Sequence, residues 1–138
     1  MILCDAGVLL CLVDPTQPLH QPYRKAVISL QKPLITTWSC FTEAMYLSYR
    51  QGGWSMQKQL WQMLANDLLI VYEIDPRDYE RLSALMEQYQ DRPMDLADAT
   101  LVLTAEKTGF HQILTLDQDF YFYRINGKSS FQIIQVNY

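Results

Sequence analysis

Short apolar runs alternate with stretches of helical period along this chain. The run Ile2–Cys4 leads into Asp5-Ala6-Gly7 and a second apolar stretch over 8–13, the pattern of strand, sharp turn and helix. Pro15 and Pro18 then break the chain, and 22–31 reads as a helix with Pro22 suited to its first turn. Residues 34–36 form a buried-strand candidate. Over 38–50, Phe41, Met45 and Tyr49 recur at i, i+4 and i+8, predicting an amphipathic helix stopped by Gly52-Gly53. Ser55 is placed to cap a further helix to about residue 66, with Leu60, Met63 and Leu64 on one face.

Residues 68–72 give the next strand. Asp75-Pro76 is a helix start, with Tyr79, Leu82, Met86 and Tyr89 as the buried stripe. After Pro93, residues 95–108 predict a helix that is apolar nearly all round and ends at Gly109. A strand over 112–115, a turn or short helix over 117–123 and a last strand over 131–136 complete the pattern. Strands alternating with helices predict an α/β fold with a mainly parallel sheet and helices on both faces. There is no repeat, linker or low-complexity tract, so residues 1–138 read as one domain.

Composition changes this picture in three places. Charged residues make up 19% of the chain, below the usual ~25%, while nine Tyr, five Phe and three Trp make it rich in aromatics. Those rings either leave some surface for a partner or simply fill the core. A net charge of −4 argues against strong non-specific binding of nucleic acid, although a local cluster of acids would by itself account for the sign. Cys4, Cys11 and Cys40 lie in apolar stretches and read as reduced core residues of a cytoplasmic protein, not as a disulfide frame or zinc site. No basic leader and no run of ~20 apolar residues marks a signal peptide or a membrane span.

The acids carry the chemistry. Asp5 closes the first strand, Asp117 follows the strand near Thr115, and Glu43 lies early in the helix after the 34–36 strand. In open parallel sheets ligands bind beyond the carboxyl ends of the strands, which sends these three to one edge. Asp98 sits between Ala97 and Ala99 with Leu96, Leu101, Val102 and Leu103 close by, in a helix interior that aspartate avoids. Asp95, three residues earlier, shares its face and equally suits the helix cap. Asp117 and Asp119 both suit a turn or cap, and strand-end position favours Asp117 as the ligand. No basic residue recurs beside these acids, so a cation is the natural counter-charge. Mg²⁺ or Mn²⁺ in such a cluster would serve phosphodiester hydrolysis. His20 and His111 lack metal spacing, and serine-hydrolase and phosphate-loop patterns are absent.

Taken in order, Asp5, Glu43, Asp98 and Asp117 resemble the acidic quartet of PIN-domain ribonucleases, in particular the VapC-type toxins of bacterial toxin–antitoxin pairs. Met94-Asp95-Leu96-Ala97-Asp98-Ala99 resembles that family's Asp-Ala helix, and Thr115-Leu116-Asp117-Gln118-Asp119-Phe120 its Thr-x-Asp…Asp-Phe turn. Tyr123-Arg124, Gly127 and the closing apolar run are similar to the tail of one subgroup. The resemblance implies a five-stranded parallel sheet, endonucleolytic cleavage of RNA with Mg²⁺ or Mn²⁺, a cognate antitoxin and a homodimer. It also implies that Asp5, Glu43, Asp98 and Asp117 are the catalytic and metal-holding residues. Asp95 and Asp119 are accessory acids, and Arg124 is either a phosphate contact or a packing residue.

One departure stands out: many relatives have Thr or Ser after the first Asp, and here Ala6 removes that hydroxyl. Arg24, Lys25, Arg50, Arg92, Arg124 and Lys128 must supply any RNA-binding rim. Two other readings compete. One is a catalytically weak or silent PIN-like interaction domain that binds a protein partner, with Trp54 and Trp61 on that surface or in the core. The other is a phospho-acceptor receiver domain, which needs a Lys after a late strand; only Lys128 is near, and it precedes the strand.

Overall fold

The computed structural model describes residues 1–137. Its five-stranded sheet is all parallel, with β1 (Ile2–Cys4) at the centre, Leu34–Thr37 and then Leu69–Tyr72 on one side, and Gln112–Leu114 and then Gln132–Ile133 on the other. From β1 the chain runs through α1 (Ala6–Val13) and α2 (His20–Leu30) to β2 (Leu34–Thr37). It continues through α3 (Trp38–Ala65) to β3 (Leu69–Tyr72). Next come a 3₁₀ turn (Pro76–Asp78), α4 (Tyr79–Gln88) and α5 (Leu96–Thr108). The chain then returns to the other side of β1 as β4 (Gln112–Leu114). Parallel neighbours require crossover connections, and their right-handedness distributes the helices over both faces. The strand order reverses between β1 and β4, where Cys4 is in register with Leu114. That switch point is where a sheet of this kind opens a crevice.

The core follows the apolar runs. Ile2, Leu3 and Cys4 are wholly buried, and α5 is buried continuously from Ala97 to Ala105, as an all-round apolar helix must be. Most hydroxyls inside this core are satisfied, the exception among the described residues being Ser48 on α3. Thr36 donates to the Cys4 carbonyl (2.8 Å), and the Thr37 and Thr100 hydroxyls lie 2.8 Å apart between β2 and α5. The bidentate pair Arg81–Glu106 (2.9 and 2.8 Å) joins α4 to α5.

Several elements differ from the sequence expectation. Tyr49 is exposed, and the buried face of the first half of α3 is Cys40, Phe41, Ala44 and Ser48. The small side chains Ala44 and Ser48 suit a close approach of a neighbouring helix, so a stripe drawn from large residues alone misses that face. In α4 the buried positions are Leu82 and Leu85, with Met86 and Tyr89 half-buried and Tyr79 exposed. Ser55 does not cap a helix; its hydroxyl donates to the Gly52 carbonyl (3.3 Å). The closing strand β7 is only Gln132–Ile133, preceded by a hairpin of β5 (Arg124–Ile125) and β6 (Ser129–Ser130). Asn126 and Gly127, both at positive φ, lie in its three-residue connection with Lys128, whose N–H donates to the Ile125 carbonyl (3.0 Å).

The expected stop at Gly52-Gly53 is a break inside α3, where Gly53 has φ 67° and ψ −154°. Only glycine adopts this conformation without strain. A Cβ at Gly53 would meet nothing within 4 Å. Gly53→Ala is therefore expected to destabilise the protein by about 1–3 kcal/mol through the backbone alone, read from the midpoint of urea unfolding.

Candidate active site

Asp5 follows β1 directly and forms the N-cap of α1, so strand and helix together fix its carboxylate at the switch point. Its own N–H donates to the Leu114 carbonyl (3.1 Å), which ties it to the end of β4. One carboxylate oxygen accepts from the Ala6 N–H (2.7 Å) and the other from the Thr115 hydroxyl (2.9 Å). Thr115 in turn accepts from the Asp117 N–H (3.0 Å), so one hydroxyl positions both acids. The hydroxyl missing at Ala6 is thus provided to Asp5 from the end of β4. Asp117 caps the 3₁₀ turn Gln118–Tyr121 by accepting from the Asp119 N–H (2.9 Å).

Asp98 lies in the first turn of α5, not mid-helix, because Asp95 takes the N-cap and accepts from the Asp98 N–H (2.8 Å). The amino end of a helix is a less hostile place for a carboxylate than its interior. Asp98 is only 7% exposed, and one oxygen accepts from the buried Tyr123 hydroxyl (2.9 Å).

Carboxylate oxygens of Asp5, Asp98 and Asp117 lie within 4.8 Å of one another. Among the described residues none of the three is ion-paired to a Lys, Arg or His. The electrostatic consequence is repulsion. Burial, and then the charges of Asp95, Asp5 and Asp117, hold the Asp98 carboxyl up at about 8 against the pull of the Tyr123 hydrogen bond. Burial also raises Asp5; the Ala6 and Thr115 hydrogen bonds oppose this, and Asp117 and Asp95 add to it. Tyr123 is pushed up by burial and by Asp98, so its phenol stays a donor.

The other candidates stand around this trio. Glu43 is an exposed residue of α3; burial of its carboxyl and the charges of Asp5 and Asp95 raise it, yet it is not among the converging three. Asp119 pairs with Arg92 (3.5 Å). Arg124 uses its Nη1 on the Tyr121 and Tyr123 carbonyls (2.9 and 3.0 Å). His20 is buried away from the acids with Nδ1 2.6 Å from the Cys11 carbonyl. Sequence reasoning assigned no role to Thr115 or Tyr123. Their only signal was the resemblance, Thr115 opening the Thr-x-Asp…Asp-Phe turn and Tyr123 standing with Arg124 in the tail similar to that of one subgroup.

A five-stranded parallel sheet with three carboxylates converging at its switch point is the frame of an α/β domain with an acidic site. The PIN domain family model matches residues 2–128, and the chain belongs to the PIN-domain family. It is similar to ribonuclease VapC26 of Mycobacterium tuberculosis (strain ATCC 25618 / H37Rv), 25% identical over 117 residues, 85% of this chain and 87% of that protein. In fold it is similar to the crystal structure of M. tuberculosis VapC20, described as a sarcin-ricin loop cleaving toxin. That likeness has a TM-score of 0.78 and 16% identity, covering 86% of this chain and 92% of the other. The receiver-domain reading is displaced by this membership.

Proposed function

We propose that this chain is a divalent-metal-dependent endoribonuclease of the VapC toxin type, with residues 1–138 as one nuclease domain. The observation that carries the reading is the convergence of Asp5, Asp98 and Asp117 within 4.8 Å with no ion-paired Lys, Arg or His among the described residues. The donor set fits Mg²⁺ or Mn²⁺, which take carboxylate oxygens and lack any need for nitrogen or sulfur ligands. Such an ion, when bound, activates water and offsets charge on the phosphoryl oxygens. Asp5, Asp98 and Asp117 would hold it. Glu43, whose carboxyl feels the charges of Asp5 and Asp95, would orient a water, and Asp95 fixes the turn that carries Asp98. Thr115 and Tyr123 are positioning residues. Asp119 holds Arg92 at the edge of the site, and the two carbonyl contacts of Arg124 favour packing over a phosphate contact.

A silent interaction domain would gain nothing from three unpaired carboxylates that repel one another. The exposed rings of Trp38, Tyr46, Tyr49, Trp54 and Trp61 on α3 suit a partner surface on an enzyme equally well. The toxin reading brings a cognate antitoxin, a homodimer and a cytoplasmic setting. No helix among the described residues is long and apolar enough to cross a membrane.

The test is cleavage of a mixed single-stranded RNA with Mn²⁺ or Mg²⁺, with excess EDTA, and by Asp5→Ala. Cleavage only by the wild-type protein with metal is expected; metal-independent cleavage, or none, would overturn the reading. The Thr115 hydroxyl gives a finer prediction. Thr115→Val should weaken Mn²⁺ binding about 10-fold, the usual cost of losing an outer partner of a metal ligand, read by calorimetric titration.

A further inference from the structure

We infer that Arg92 and Phe122 form a stacking platform for an unpaired nucleobase next to the scissile phosphodiester. The inference rests on the nuclease reading above and adds to it the place where one base is held. The Arg92 guanidinium carbon lies 3.5 Å from the centroid of the Phe122 ring, in face contact, and Phe122 is nevertheless 51% exposed. A large ring left in water at this level, with a cation laid on one face, is an unfinished stack. Bases complete such stacks because every base has a π-face, and guanidinium planes serve them as well as aromatic rings do.

Position decides what the platform serves. Phe122 directly precedes Tyr123, whose hydroxyl holds Asp98. Arg92 is ion-paired to Asp119, whose N–H donates to Asp117. Both halves are anchored to the same small framework. The Phe122 and Tyr123 N–H groups donate to the Asp119 carbonyl (2.9 and 3.1 Å), and the Arg92 N–H donates to the Tyr89 carbonyl (3.0 Å). The Tyr89 and Tyr123 rings meet edge to face at 5.0 Å. The platform is therefore fixed relative to the acids rather than free to drift.

The rest of the rim supports the assignment. Leu96 and Leu116, each beside an acid of the site, are also exposed, as is Tyr121. Apolar and aromatic surface around an acidic centre suits the flat faces of bases. It does not suit the duplex exterior, where phosphates meet the protein first. Arg92 adds the one basic group ion-paired to an acid of this loop among the described residues.

The experiment separates binding from cleavage. A fluorescein-labelled single-stranded RNA that the wild-type protein cleaves with Mn²⁺ is titrated in EDTA and followed by anisotropy. The proteins are wild type, Phe122→Ala, Phe122→Trp and Arg92→Ala. The titrations are repeated with RNAs carrying an abasic nucleotide at each position flanking the cleaved bond. Phe122→Ala is expected to weaken binding about 10-fold, Phe122→Trp to restore it, and Mn²⁺ affinity to stay unchanged. At one flanking position the abasic RNA should bind wild type and Phe122→Ala equally, because the stack is already gone. If both alanine variants bind and cleave like wild type, or if the loss is the same for every abasic RNA, the platform is refuted while the nuclease reading stands. If RNA binds with this pattern but Asp5→Ala cleaves it as fast as wild type, the nuclease reading of the acids fails and the platform survives. Wild-type protein that binds no RNA overturns the platform.

Discussion

Asp98→Asn is expected to abolish metal-dependent RNA cleavage and, in the same protein, to raise the melting temperature without metal. The two effects have one cause. Asp98 is nearly buried and faces Asp95, Asp5 and Asp117, so its charge costs the folded state unless a cation offsets it. The amide keeps the shape and can still accept from Tyr123, so the substitution removes charge and little else. Activity should fall by at least about 10³-fold, equivalent to about 4 kcal/mol. The metal-free protein should gain on the order of 1 kcal/mol, a few degrees in melting temperature. Cleavage assays and EDTA melts of the same two preparations check both halves. A loss of stability would show that the charged form of Asp98 is itself a structural hydrogen-bonding group.

The second large effect is a stability that falls as pH rises in the metal-free protein. A carboxyl held at about 8 in the fold, against about 3.9 in an unfolded chain, binds its proton more tightly when folded. Its contribution is fully present below about pH 4 and is lost as pH climbs through 8. Asp5 and Glu43 are shifted the same way. Asp14 and Asp75 are lowered by their hydrogen bonds, despite some burial, and act in the opposite sense at acid pH; Asp75 sits at about 2. Between pH 5 and 8 the raised group dominates. Solvent at the mouth of the site screens part of it, leaving a loss of about 1–2 kcal/mol. In EDTA the melting temperature should drop by about 3–6 °C over that range. Mn²⁺ at 100 times its dissociation constant should return about 2.7 kcal/mol at pH 8, and Asp98→Asn should flatten the slope. A flat wild-type profile would mean the carboxyls do not repel.

The acids were legible in the sequence because charge in apolar surroundings is conspicuous. Asp5 and Asp117 were found as strand-end acids, and Asp98 as an aspartate where aspartate should not be. The exact start of α5 was not legible, since Asp95 suited both the helix and its cap; as the N-cap it leaves Asp98 in the first turn and not in the helix interior. Thr115 and Tyr123 escaped for a different reason. An uncharged hydroxyl has no pattern of its own, and its meaning comes only from the carboxylate that folding brings to it. The empty place at Ala6 was read as a loss, yet the hydroxyl on Asp5 comes from residue 115, far along the chain. Elements failed where they were short or where small residues did the packing. The β5–β6 hairpin has two residues per strand, too few for a period, although Asn126-Gly127 is a strong turn signal. The sheet itself was legible because its central strands are buried apolar runs.

Calorimetric titration of the metal-free protein with Mn²⁺ asks directly whether Asp5, Asp98 and Asp117 form a cation site. Wild type is expected to give a binding isotherm that weakens with falling pH, as protons compete for Asp98, and that disappears in Asp98→Asn. Binding of equal strength in wild type and Asp98→Asn would contradict such a site.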